Sequence, residues 1–137
     1  MITHLLYLSE QSDVYKPKID IERILEKSRA NNRKKKISGI LIQKNKFFLQ
    51  LIEGDQEKLK KVYELIMYDP RHKNVRLLME FNSPKRIFPD WSMGHVDLLK
   101  TKNVKLSQLI PMIHKDILAM PGEREKVLNI LKNFNNI

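Results

Sequence analysis

Two polar residues stand where the chain otherwise buries carbon. Lys46 to Asp55 reads KFFLQLIEGD, the pattern of a strand closed by a turn. Alternate residues of a strand share a face, so Phe47, Leu49 and Leu51 take one side and Phe48, Gln50 and Ile52 the other. Both sides are apolar, which predicts a central strand covered on both faces. A buried primary amide without partners costs about 1–3 kcal/mol. Gln50 therefore needs hydrogen-bonding neighbours. Tyr7 poses the same problem in an earlier apolar segment, where it shares a face with Thr3 and Leu5. A buried phenol also requires a partner. If the two strands are adjacent, Tyr7 and Gln50 are neighbours. The pair is then either a static hydrogen bond in the core or a polar relay beneath a ligand.

The helical patterns point to where a ligand would sit. Ile21, Ile24 and Leu25 form an apolar stripe that continues at helical spacing into Ser28, Asn31 and Asn32. A later stripe, Leu59, Val62 and Ile66, runs on to Asp69, followed by Arg71 and His72. Each residue has a plain structural reading: Asn32 as a helix cap, Ser28 bonded back to its own helix, Asp69 with Pro70 in a turn, Arg71 solvated. If the helices lie side by side, however, both stripes turn polar at one end of the protein. An apolar slot between Ile24 and Ile66, ending in hydrogen-bonding groups, suits a flat heteroaromatic ligand. Helix C-termini repel anions, so an anionic tail there would need Arg71, and His72 if charged.

The elements that must position these residues follow the same patterning. Strands are predicted over Thr3–Leu8, Ile37–Gln43, Phe47–Glu53, Val75–Phe81 and, more weakly, Trp91–Leu99. Helices are predicted over Asp20–Asn32 and from an Asp55 cap to about Tyr68. Two further helical patterns, Leu106–Leu118 and Glu123–Phe134, flank MPGE. The order is the ferredoxin-like βαββαβ pattern with a fifth strand, an α+β fold. The first and third strands become central. Two helices cover one sheet face, and the C-terminal helices are the expected cover of the other. This divides the chain into residues 1–99 and a helical extension, 100–137.

The composition excludes several function classes. At 137 residues, one domain with a sizeable core is expected. The absence of cysteine removes disulfides, thiolate catalysis and cysteine-based zinc sites. His4, His72, His95 and His114 lack metal-ligand spacing, and no nucleophile–base pair stands out. No secretion signal or bilayer-length apolar run is visible, so a cytoplasmic protein without membrane association is expected. The formal net charge of +10 comes mainly from lysines spread through NNRKKK, EKLKK and LLKTKNVK. Exposed helix faces account for such lysines as readily as a polyanion does.

The segments HLLYLS, NNRKKKISGILI, FFLQLIEGD, YELIMYDPRHKNV and FPDWSMGHVDL together resemble the BLUF domain, a blue-light sensor that uses flavin. The resemblance runs in order from about Met1 to Leu99, and LQLIEG with DPRH and FPDWSM carries most of its specificity. The one mild departure is Ser38-Gly39, where the family often has Thr-Gly. The resemblance implies non-covalent FAD as cofactor. It implies Tyr7 as the photochemical electron donor and Gln50 as the amide that rearranges. Ile24 and Ile66 would sandwich the ring, with Phe48 also a cofactor-binding candidate. Asn32 would bond the ring's polar edge, with Asn31 and Ser28 nearby. Asp69 would face the ribityl chain, and Arg71 and His72 the phosphates. Trp91, Ser92 and Met93 would carry the signal onward. A red shift of absorption without lasting flavin reduction is expected.

The alternative from another class is a basic, ferredoxin-like RNA-binding module. Such modules stack bases on exposed aromatics interleaved with glycine. The third strand has Phe47 and Phe48 adjacent without those glycines, and the C-terminal helices would hide it. No catalytic turnover is expected. A sensor of this size would signal through self-association, as a homo-oligomer, or through a downstream protein; acidic partners suit its lysines.

Overall fold

The computed structural model describes residues 1–114 and 121–134. Five strands form one sheet: β1 (Ile2–Gln11), β2 (Ser38–Lys44), β3 (Phe47–Gly54), β4 (His72–Ser83) and β5 (Gly94–Asp97). Their spatial order is β4-β1-β3-β2-β5. β1 pairs antiparallel with β3 and β4, β2 antiparallel with β3, and β5 runs parallel to β2. The helices are α1 (Pro17–Lys35), α2 (Gln56–Met67), a one-turn α3 (Val104–Ser107) and α4 (Pro121–Phe134).

The period-two alternation predicted for β3 divides the core in two. Leu49 and Leu51 join Leu6, Leu8, Ile40 and Ile42, packed against Leu106, Leu109, Ile113, Val127 and Leu131 of the C-terminal segments. Phe48 and Ile52 join Leu5, Tyr7 and Leu41 on the other face, against Ile24 and Leu25 of α1 and Leu59 of α2. Burying each such leucine or isoleucine stabilises the fold by about 1.5–3 kcal/mol. The expected α+β arrangement, with helices on both sheet faces, is the one found.

Local chemistry explains most boundaries. Asp55 caps α2 by accepting from the Lys58 backbone N–H at 3.2 Å. Asn45 turns the β2–β3 hairpin at φ 51°, a left-handed conformation asparagine tolerates. α1 runs one turn beyond the predicted Asn32. It stops at Lys36, whose left-handed backbone (φ 55°) returns its N–H to Arg33 and Asn32.

Two expectations fail. The helix predicted over Leu106–Leu118 is α3 alone, followed by turns to Met112; residues 115–118 lie outside the described chain. Pro111 supplies the reason, because it lacks an N–H and restricts Ile110 before it. The strand predicted over Trp91–Leu99 is only Gly94–Asp97. The three residues before it are held by other bonds, described below.

Candidate functional site

Where α1 and α2 meet the centre of the sheet, a cavity of about 410 Å³ opens. Its apolar walls are Ile24 from α1 and Val62, Leu65 and Ile66 from α2. Ser28, Asn31 and Asn32 supply the polar side of α1, Gln50 comes from β3, and Asp69, Arg71 and His72 close the far end. The two stripes thus turn polar together.

Tyr7 and Gln50 are direct register partners on β1 and β3. Tyr7 is fully buried, and among the described residues its hydroxyl has no hydrogen-bond partner. Its ring meets Tyr63 of α2 edge-on, with centroids 5.3 Å apart. Burial, and then the nearby Tyr63 phenol, push the Tyr7 pKa well above 10.0. Tyr7 is therefore a neutral phenol whose oxygen needs a partner. Gln50 is only 4% exposed, and it reaches the cavity wall. The static Tyr–Gln bond is not made.

The polar end carries defined protonation states. Burial works to raise the Asp69 pKa, but side-chain and backbone bonds from Arg71 outweigh it and leave the carboxyl lowered. Arg71 Nε and Nη2 both donate to this carboxylate, the shortest bond being 2.7 Å. His72 is the first residue of β4, 8% exposed, with Nδ1 3.0 Å from Ser9 Oγ and its ring against Phe48. Burial lowers its pKa below 6.5, so the imidazole is neutral at pH 7. The cations of this end at neutral pH are therefore Arg71, already bonded to Asp69, and two residues absent from the sequence reading, Lys27 and Lys35.

Lys35 was legible in principle. It lies seven residues beyond Ser28 and four beyond Asn31, on the same helical stripe, and was missed because the helix was ended at Asn32. Phe48 is not among the lining residues; it is fully buried, between the rings of Tyr15 and His72. With Phe47 packed toward the C-terminal cluster, β3 offers no exposed aromatic platform of the kind RNA modules use.

Trp91, Ser92 and Met93 precede β5 rather than forming part of it. Asn32 Nδ2 donates to the Ser92 carbonyl at 2.6 Å, Arg29 Nε to the Met93 carbonyl at 3.0 Å, and the Gly39 N–H to the Trp91 carbonyl at 2.9 Å. The segment is tied to α1 and β2 by these bonds. Residues two apart in a strand share a face, but here Met93 packs with Tyr7 and Ile24 while Trp91 packs with the C-terminal cluster. A second hollow, of about 460 Å³, adjoins Ser92; its Arg86 guanidinium is already bonded to Ser38, Glu53 and Lys36.

The donor set fits a flavin. The slot has apolar walls from both helices, the amides of Asn31, Asn32 and Gln50 line it, and the orphaned Tyr7 phenol is the register partner of Gln50 in the core, although Tyr7 itself does not line the cavity. Among the described residues no helix is long and apolar enough to cross a membrane.

Comparison with known proteins shows the family and the fold. Residues 2–94 match the family model BLUF, sensors of blue-light using FAD. The chain is 35% identical over 98 residues to the blue light- and temperature-regulated antirepressor BluF of Escherichia coli (strain K12), covering 72% of this chain and 24% of that protein. It is 26% identical over 141 residues to photoactivated adenylate cyclase subunit alpha of Euglena gracilis, covering 98% and 14%. The chain thus spans a quarter or less of these relatives' lengths. Among solved structures, the dark state of BlrB, a BLUF protein, superposes with a TM-score of 0.79 at 29% identity, covering 96% of this chain and 95% of that one. The BlsA ground state gives 0.78 at 26% identity, covering 96% and 88%.

Proposed function

The chain belongs to the BLUF family of blue-light sensors, and from that premise we propose that it is a photoreceptor in which Tyr7 and Gln50 convert light absorption into a rearranged hydrogen-bond network. A flavin bound in the cavity supplies a blue-absorbing chromophore whose excited state accepts an electron. Ile24 and Ile66 hold its ring, Asn32 and Asn31 its polar edge, and Asp69 its ribityl chain. FAD is the form proposed, its phosphates balanced by Lys27, Lys35 and Arg71.

The chain's own residues account for the rest. Tyr7 gives up an electron and its phenolic proton and then recovers both, so no net oxidation remains. Gln50 carries both an acceptor oxygen and a donor nitrogen, so it can stand in two hydrogen-bond patterns between the phenol and the ring. The exchange between these patterns is the proposed signalling change. It leaves through Trp91, Ser92 and Met93 toward the C-terminal helices, where a partner protein or a second copy reads it.

The observation that carries this reading is the buried Tyr7 hydroxyl, unpartnered among the described residues and in register with Gln50, which lines the cavity. The test is a pair of variants, Tyr7→Phe and Gln50→Leu, loaded with flavin and illuminated. Both should bind the chromophore and lose the reversible red shift. Retention of the shift in either variant contradicts the assigned role.

A further inference from the structure

The link between β4 and β5 has two prolines and no strand partner, yet a buried carboxylate fixes its backbone. Glu53 of β3 is wholly buried, and its carboxylate accepts from the N–H of Ile87 at 2.7 Å and of Phe88 at 2.6 Å. Its backbone carbonyl accepts from Arg86 at 3.0 Å. The His4 ring, also fully buried and stacked on Phe81, brings Nδ1 to 3.3 Å from the same carboxylate, an electrostatic contact rather than a hydrogen bond. A carboxylate stays buried only where such partners replace water.

The carboxylate's bonds lead directly to Trp91. The Phe88 ring is buried and stacks on the indole, 5.4 Å between centroids and 9° from parallel. The indole also lies against Gly94: a Cβ there would fall 2.5 Å from Trp91 Cε3. Gln50 and Glu53 are an odd number of residues apart, so they point to opposite faces of β3. One strand therefore touches the cavity with one side chain and the Trp91 support with the other.

We propose that Glu53 is a positioning residue that seats Trp91 against Phe88 and Gly94, on the sheet face away from the cavity, and thereby couples β3 to the output segment. The seat itself is a property of the chain; its coupling to light rests on the function proposed above. A displacement of β3 on the Gln50 side is transmitted through Glu53 to the amides of Ile87 and Phe88. Rupture of those bonds frees the indole.

Trp91 is the single tryptophan of the chain, so its emission reports the seat without labels. The measurement uses the full chain carrying Glu53→Gln, which keeps the size of the side chain and removes its charge. Trp91 emission should move to longer wavelength, acrylamide should quench it more strongly, and dark recovery should accelerate by about threefold or more. The amplitude of the light-driven absorption shift should stay as in the wild type. Gly94→Ala should move the emission in the same direction, because the added Cβ evicts the indole. In the wild type, the Ile87 and Phe88 amides should resist hydrogen exchange although they lie outside the sheet. Wild-type emission in Glu53→Gln, or unprotected Ile87 and Phe88 amides in the wild type, overturns the proposal. If Glu53→Gln does not fold, the exchange measurement and Gly94→Ala decide it. Absence of any absorption shift in the wild type contradicts the photoreceptor reading instead, and leaves the emission result to judge the seat.

Discussion

Tyr7 and Gln50 oppose each other across the central strand pair, yet the phenol oxygen of Tyr7 makes no hydrogen bond within the described chain. A buried hydroxyl left in that state costs about 1–3 kcal/mol. The cost falls in the core beside Gln50, the residue that does line the cavity. Removing the hydroxyl should therefore not weaken the empty protein. Tyr7→Phe, melted without flavin, should match or exceed the wild-type midpoint; a clear loss of stability would mean that the hydroxyl has a protein partner after all.

The acid side of the stability profile should carry the signature of His72. Burial holds its folded pKa below 6.5. The unfolded chain then takes up the proton first as pH falls, so stability drops from about pH 6.5 downward. Half-buried His95 is also lowered, chiefly by burial, and adds a slope of the same sign. Thermal melts between pH 7.5 and 5 test this, taking those values only as a range bracketing about 6.5. His72→Gln should flatten the slope without abolishing it. An unchanged slope would mean that His72 takes up its proton at the same pH in the folded and unfolded chains.

Lys27 and Lys35 provide a way to tell the cofactor's tail from its ring. Each exposed or half-exposed cation contributes about 0.2–1 kcal/mol to a screened phosphate contact. Lys27→Ala with Lys35→Ala should therefore weaken FAD binding by several-fold, less so at high salt, and leave riboflavin affinity unchanged. Equal losses for both flavins would place the lysines against the ring instead.

Gly39 should tolerate no side chain. A Cβ there would fall 2.1 Å from the Leu51 carbonyl oxygen, on the paired backbone of β3. Backbone cannot yield as a flexible side chain can, so Gly39→Ala should force β2 from β3 and destabilise by about 1–3 kcal/mol or more. A wild-type melting midpoint would contradict this close approach.

The sequence made some of this legible and hid the rest for identifiable reasons. Alternation alone placed Phe48, Gln50 and Ile52 on one face of β3, and element order made Tyr7 a neighbour of Gln50. The helical stripes brought Ile24, Asn32, Ile66 and Asp69 to one cavity. What failed depends on tertiary bonds that have no periodicity. Trp91 to Met93 look like strand residues but are held by Asn32, Arg29 and Gly39 from other elements. His72 reads as a candidate cation next to Arg71 and is instead a buried, neutral strand residue bonded to Ser9. Glu53 reads as the end of a strand, and nothing local reveals that its carboxylate organises a link more than thirty residues away.

The most direct measurement is the absorption spectrum of the flavin-loaded chain in darkness, under blue light, and in darkness again. A small red shift that appears with light and decays fully in the dark is the result this account predicts. A flavin spectrum unmoved by light, or bleached to a lasting reduced form, would contradict it.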